Sequence, residues 1–380
     1  MTIIVAPASS FSPSTPVTGE FVYGDVDGSI ANTALSQTFI YTSVDSTVYG
    51  DAFNISGTGR GGADVFRVAG GGTGFDVLYG DAYAIEGSAG GGDDRITTRG
   101  SISGFAVHGD ALNMVGEAVG GNDRIDADNF TVAYGDAGYL FESAQGGDDT
   151  LFVRYGSSYG DAAEMYHRSR GGDDLMYGRS TGAGMSGDAL LMHQDSQGGN
   201  DTIYANAGRS SLIGDAVFMF DQSIGGDDFL HNKKGGATLY GDAQQMSGSS
   251  QGGNDVLSGS AGRDTLYGDA FSISEEGSGG DDVLLGGKGN DLLFGDAEDF
   301  ASTGKRGADR FVFGGAGGKD TIGDFERGWD SIDIRALGYT SFGQLDIDEV
   351  GGNSIVHLKG ANQVAVLGVT DLAETDFLFA

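Results

Sequence analysis

One phrase, Gly-Asp-Ala, recurs through most of this chain and sets what it can fold into. Its aspartates are Asp51, Asp81, Asp110, Asp136, Asp161, Asp188, Asp215, Asp242, Asp269 and Asp296. The intervals are 30, 29, 26 and 25 residues, then 27 five times in succession. A degenerate copy, Gly24-Asp25-Val26, precedes them. Self-similarity at a nearly fixed period marks a stacked repeat architecture, in which no single copy folds alone.

A second phrase, Gly-Gly-(Asp/Asn)-Asp in most copies, falls between the first. Its final aspartates are Asp64, Asp94, Asp123, Asp149, Asp174, Asp201, Asp228, Asp255, Asp282 and Asp309. Apolar residues keep the same period. Two positions after the second aspartate stand residues such as Ile96, Leu151, Leu230 and Leu284. Three before the first stand Leu78, Leu212, Leu239 and Leu266, with Ala133 and Ser158 as the small exceptions. Four after it stand Ile55, Met114, Met219 and Met246. Three apolar positions per coil cannot enclose a core, but stacked coils turn each position into a continuous column. Short apolar segments bounded by glycine turns predict strands. The expected fold is all-β: a parallel β-roll or β-helix solenoid of about 27 residues per coil. The third segment of each coil, as in Asp242-Ala-Gln-Gln-Met246, suits either a helical turn capped by its aspartate or a bent strand.

Stacking places like aspartates above one another at strand spacing. Two carboxylates about 5 Å apart repel by roughly 3–4 kcal/mol at an effective dielectric near 20. Over ten coils that opposition exceeds the net stability of a domain. With 55 acidic residues against 21 basic and a net charge of −34, the chain holds too few cations of its own, and they do not follow the period. A hard divalent cation fits. Calcium takes carboxylate and carbonyl oxygens in flexible geometry, whereas magnesium demands stricter octahedral sites. The same charge argues against nucleic acid and anionic membrane as partners. A single Gly-Asp is more often a turn whose side chain caps its own backbone. The two columns as sets point to calcium, with the Gly-Gly-x-Asp aspartates the stronger ligand candidates.

Gly71 to Tyr79, GGTGFDVLY, and Gly286 to Phe294, GGKGNDLLF, fit the nonapeptide G-G-x-G-x-D-x-U-x, and Gly259 to Tyr267, GSAGRDTLY, misses by one glycine. Over residues 46–335 the chain resembles the RTX, or hemolysin-type, calcium-binding family. In that family six residues form a calcium-binding turn and three a strand, and paired turns hold calcium between coils of a parallel β-roll. The resemblance implies that Asp76, Asp264 and Asp291 are ligands, together with the Gly-Gly-x-Asp set. The coil here departs from the family's 18-residue turn. Ala106, Ser210 and Ala237 stand where Asp264 would be, so one side is expected to bind little calcium.

The sequence divides into a leader and worn capping coil (1–45), the repeats (46–305) and a C-terminal segment (306–380). Arg306 to Leu337 resembles the cap of serralysin-type proteases. Glu374 to Ala380, acid followed by apolar residues, resembles a type I secretion signal, which implies the type I secretion machinery as a partner. MTIIVAPASS has neither a basic stretch nor a long apolar core, and no segment is apolar enough to span a bilayer. The chain carries no His-Glu-x-x-His, no Gly-x-Ser-x-Gly and no cysteine. The expectation is a secreted, non-catalytic calcium-binding protein acting at a bacterial surface, in a matrix or toward a host target. A polysaccharide lyase or epimerase, which needs Arg, Tyr, Lys or His gathered on one face, and a self-assembling surface-layer protein are the alternatives.

Overall fold

The structure, a computed structural model, describes residues 2–5, 17–18, 20–44, 46–69, 76–100, 105–127, 131–206, 208–301, 303–315, 317–360 and 362–380. Two compact units, Met1–Gly199 and Asn200–Ala380, make up the chain. Both are built on one plan. Each coil of about 27 residues lays down three short strands, and each strand pairs in parallel with its counterpart one coil away. The fold is thus the parallel β-solenoid that the period demands.

In the second unit the first strand of a coil is Thr238–Tyr240, the second Ala243–Met246 and the third Val256–Ser258. The apolar columns are in register. Leu239, Leu266, Leu293 and Ile322 align in the first sheet. Met219, Met246, Ile273 and Phe300 align in the second. Leu230, Leu257, Leu284, Phe311 and Ile332 align in the third. The first unit repeats the scheme, for example through Phe39, Phe66, Ile96, Ile125, Leu151 and Met176. Register is strict because a one-residue slip would turn each column out to solvent.

The ambiguous third segment is a strand with a bend. Ala243 and Met246 both point inward with two residues between them, and the register passes from Ala243–Ala270 to Gln245–Ser272. Beyond it the backbone turns through a left-handed residue in successive coils. Gly57, Gly87, Gly116 and Gly248 fill that position in some coils, and Glu142, His167, Gln194, Asp221 and Glu275, with φ of 60 to 63°, fill it in others.

Where the first strand ends, rings stack from coil to coil: Tyr23, Tyr49, Tyr79, His108, Tyr134 and Tyr159, with centroids 4.8 to 5.3 Å apart. His108 takes a tyrosine's place in this ladder, and burial pushes its imidazole down to about 3, so it is neutral. In the second unit the first sheet closes with Lys319–Ile322, which pairs in parallel with Asn362–Val366, and Asn353–Leu358 and Asp346–Val350 follow in antiparallel pairings. Phe377–Leu378 pairs in parallel with Ser331–Asp333, and the buried Asp376 beside it accepts an ion pair from Arg327 at 3.2 Å. Among the described residues no helix is long and apolar enough to cross a membrane.

Candidate metal centre

The turn before the second strand carries the Gly-Asp-Ala aspartate, and the turn before the third carries the Gly-Gly-x-Asp aspartate. Both side chains point into the solenoid. Asp51, Asp81, Asp110, Asp136, Asp161, Asp188, Asp215, Asp242 and Asp269 are fully buried, and Asp296 nearly so. Asp64, Asp94, Asp123, Asp149, Asp174, Asp201, Asp228, Asp255, Asp282 and Asp309 are at most 3 % exposed. Carboxylates this far from water need partners.

Each column finds half of what it needs. A Gly-Asp-Ala carboxylate accepts the backbone N–H of the second glycine in the next turn of its own coil, as Asp81 does from Gly92 at 2.8 Å and Asp242 from Gly253 at 2.6 Å. A Gly-Gly-x-Asp carboxylate accepts the N–H of its counterpart one coil earlier. Asp94 takes that of Asp64 at 2.6 Å, and Asp282 that of Asp255 at 2.7 Å. Both columns therefore cap backbone. The second oxygen is a different matter. Oδ1 of Asp51, Asp81, Asp110 and Asp136, and Oδ2 of Asp64, Asp94, Asp123, Asp149, Asp242, Asp255, Asp269 and Asp282, are buried with no donor from the rest of the protein.

Glycine is what lets these oxygens come so close. A Cβ on Gly80 would fall 1.6 Å from the carbonyl oxygen of Gly109 and 2.0 Å from Asp94 Oδ2. A Cβ on Gly61 would fall 1.9 Å from Asp81 Oδ1. Carbonyl and carboxylate oxygens thus crowd the same cradle, the donor set a calcium ion takes. Among the described residues no three acidic or histidine side chains converge as a metal cluster. A cation here would therefore draw on backbone carbonyls as well as carboxylates.

Left alone, the carboxyls resist ionisation. Burial, opposed in part by the N–H of Gly62, pushes Asp51 up to about 7. Burial and the neighbouring Asp51 charge push Asp64 to about 8. Asp94, Asp123, Asp149, Asp255 and Asp282 are raised well above the ordinary value, by burial first and like charges next.

A third, shorter column occupies the turn before the first strand. Asp264 and Asp291 are buried, each with an Oδ2 that lacks a donor, and Asp264 Oδ1 accepts from Ala237 N at 2.7 Å. Asp76 accepts from Ser46 N at 2.7 Å, but its glycines at 70–75 lie outside the described residues. Ala237, which aligns with Asp264 one coil away, leaves this column interrupted, as the sequence implies.

Several residues that complete the columns escape the repeat pattern. Asp320 accepts the N–H of Asp291 at 3.0 Å, and Asp330 that of Asp309 at 3.0 Å. Asp324 accepts those of Gly295 and Asp296 at 2.8 and 3.1 Å. The signal for Asp320 and Asp330 is the inward isoleucine two positions on, Ile322 or Ile332, rather than the interval. In the first unit, Gln37 stands where the next coil has Asp64, and its side-chain amide donates to Asp25. In the second unit, Arg306 replaces the first glycine of the turn and reaches Asp296 at 3.2 Å, Asp324 at 3.5 Å and Glu326 at 3.0 Å. At these two coils the chain itself provides a side-chain donor to the column.

Fold and site together define a calcium-binding β-solenoid. Residues 195–216, 250–271 and 276–299 match the RTX calcium-binding nonapeptide repeat, in four copies. Among solved structures, the chain is similar to the AlgE6R2 subunit of the Azotobacter vinelandii mannuronan C5-epimerase. That match has 25% identity over 42% of this chain and 92% of that one, with a TM-score of 0.23, too low to bear on the arrangement of the coils. No curated protein matches the chain.

Proposed function

We propose that the protein is secreted and folds on meeting extracellular calcium, which the two aspartate columns take up between coils. The observation that carries this reading is the repeated pair of buried carboxylates: in Asp51, Asp64, Asp81, Asp94, Asp110, Asp123, Asp242, Asp255, Asp269 and Asp282 one oxygen is bonded to backbone and the other has no donor. Asp264 and Asp291, and by the motif Asp76, add sites at the third turn. Binding to the folded coils and not to the open chain makes calcium affinity a folding free energy. Where calcium is scarce the chain stays open and fit for export. Where it is near millimolar, sites of the extracellular affinity class fill.

Residues 1–45 serve as leader and capping coil, 46–305 as the calcium-dependent body and 306–380 as a cap of the serralysin kind. Glu374 to Ala380 carry the type I secretion signal. The role is non-catalytic, at a cell surface, in a matrix or toward a host. Far-UV circular dichroism through a calcium titration of the chelated chain tests this. A cooperative gain of β signal is expected, and a chain fully folded in excess chelator at neutral pH would refute it.

A further inference from the structure

The chain has a net charge of −34, yet six of its 21 basic residues share one outward sheet face. In the first unit the third sheet includes Val65–Ala69, Arg95–Arg99, Arg124–Ala127, Thr150–Val153 and Leu175–Gly178, side by side. Alternation along each strand buries Phe66, Ile96, Ile125, Leu151 and Met176. It turns Arg67, Arg95, Arg99, Arg124, Arg154 and Arg179 outward, Arg124 half-buried and the others exposed. Two follow the second aspartate of their coil by one residue (Arg95, Arg124), three follow it by five (Arg99, Arg154, Arg179) and Arg67 follows it by three, so the face takes shape when the strands are stacked.

Three details set it apart from an ordinary solvated surface. Arg95 and Arg124 stand directly opposite each other on neighbouring strands, in a row whose adjoining members are Val65 and Thr150. Like charges so placed oppose sheet formation. Asp126 draws Arg99 and Arg179 together at 3.0 and 2.7 Å, fixing two guanidinium groups over the sheet. Phe152 and Tyr177 stack at 5.1 Å in the middle of the face, and the guanidinium groups of Arg124 and Arg179 each lie 4.3 Å from the Phe152 ring centre.

We propose that this face binds an anionic polysaccharide, laid across the strands. Each sugar of a uronate chain offers one carboxylate, a repeat close to the ~4.8 Å separation of strands. Guanidinium groups bind carboxylates in paired hydrogen bonds. The half-buried aromatic pair adds apolar surface beside the guanidinium groups for the C–H face of a pyranose. Duplex nucleic acid, with a phosphate charge every ~1.7 Å, would bring far more charge against the exposed corner acids Asp93, Asp148 and Asp173 that border the face. The inference gives a partner class to the calcium-folded protein and rests on that reading for the folded sheet.

The test uses the full chain in calcium, with circular dichroism read on every sample. Isothermal titration is run with a galacturonate hexamer, a heparin-derived hexasaccharide, a neutral xylan hexamer and single-stranded DNA. Either acidic glycan is expected to bind, with the tighter of the two identifying carboxylate or sulfate as the preferred group. The R95A/R124A variant is expected to lose at least tenfold in affinity with an unchanged spectrum, R179A a smaller part, and R263A none. Equal binding of the neutral hexamer, binding of DNA alone, no loss in R95A/R124A, or a folded wild type that binds nothing would overturn the proposal. A chain that calcium does not fold would overturn the reading beneath it, and the dichroism separates that failure from a failure to bind.

Discussion

Remove the calcium, and acid should fold this protein where it unfolds most others. Burial sets the Asp242 carboxyl at about 7 against 3.8 when exposed. At neutral pH an ionised Asp242 therefore opposes the fold by about 4 kcal/mol. Two carboxyls of that kind approach the ~5–15 kcal/mol that holds a domain together, and Asp51, also at about 7, shows that the first unit has the same property. The sign follows from linkage. A folded-state pKa above the unfolded one means that the native chain binds more protons, so stability is fully present below about 4 and is lost as the pH rises through 7. Lowering the pH from about 7.5 to about 5 should return roughly 2–3 kcal/mol per such carboxyl. The assay is the guanidinium midpoint of the chelated, desalted chain at several pH values. With calcium bound the slope should reverse, because protons then compete with the ion for the same oxygens. A chelated chain equally stable at both ends of the range, or weaker in acid, would show that the buried columns are not the obstacle to folding.

Other outcomes follow from the same geometry. In D255N the amide removes one buried charge, so the chelated protein should gain stability while the midpoint calcium concentration for folding rises, read by paired dichroism titrations. R306M should cost about 2 kcal/mol in calcium, since Asp296 and Asp324 lose their guanidinium partner; thermal melting measures it. E275G should add about 1 kcal/mol by relieving the left-handed backbone at φ 62°. G253A should cost about 3 kcal/mol, because its Cβ would lie 1.6 Å from the carbonyl oxygen of Gly226; both are read as shifts in denaturant midpoint.

Much of this was legible before any coordinates. The columns Leu239–Leu266–Leu293 and Asp242–Asp269–Asp296 follow directly from a period of 27. The second strand was not legible, because an inward Ala243 and Met246 three apart satisfy a helical turn as well as a bent strand, and only the stacked register of Ala243 on Ala270 separates them. Asp324 and Asp330 hid at the final coil, where the intervals slip to 28 and 21 residues. The role of Arg306 is not legible in the sequence because it depends on Asp324 arriving beside it. The arginine face is hidden for a related reason. Its arginines recur in only some coils, because outward positions are free of the constraint that makes every inward one repeat, and the stacked strands bring them together.

The most direct test is a crystal structure of the calcium-loaded chain with anomalous data. The account predicts calcium between successive coils beside Asp242, Asp255, Asp269 and Asp282, with glycine carbonyls completing the ligands. Anomalous density confined to the Asp264–Asp291 turn, or absent beside the buried columns, would contradict it.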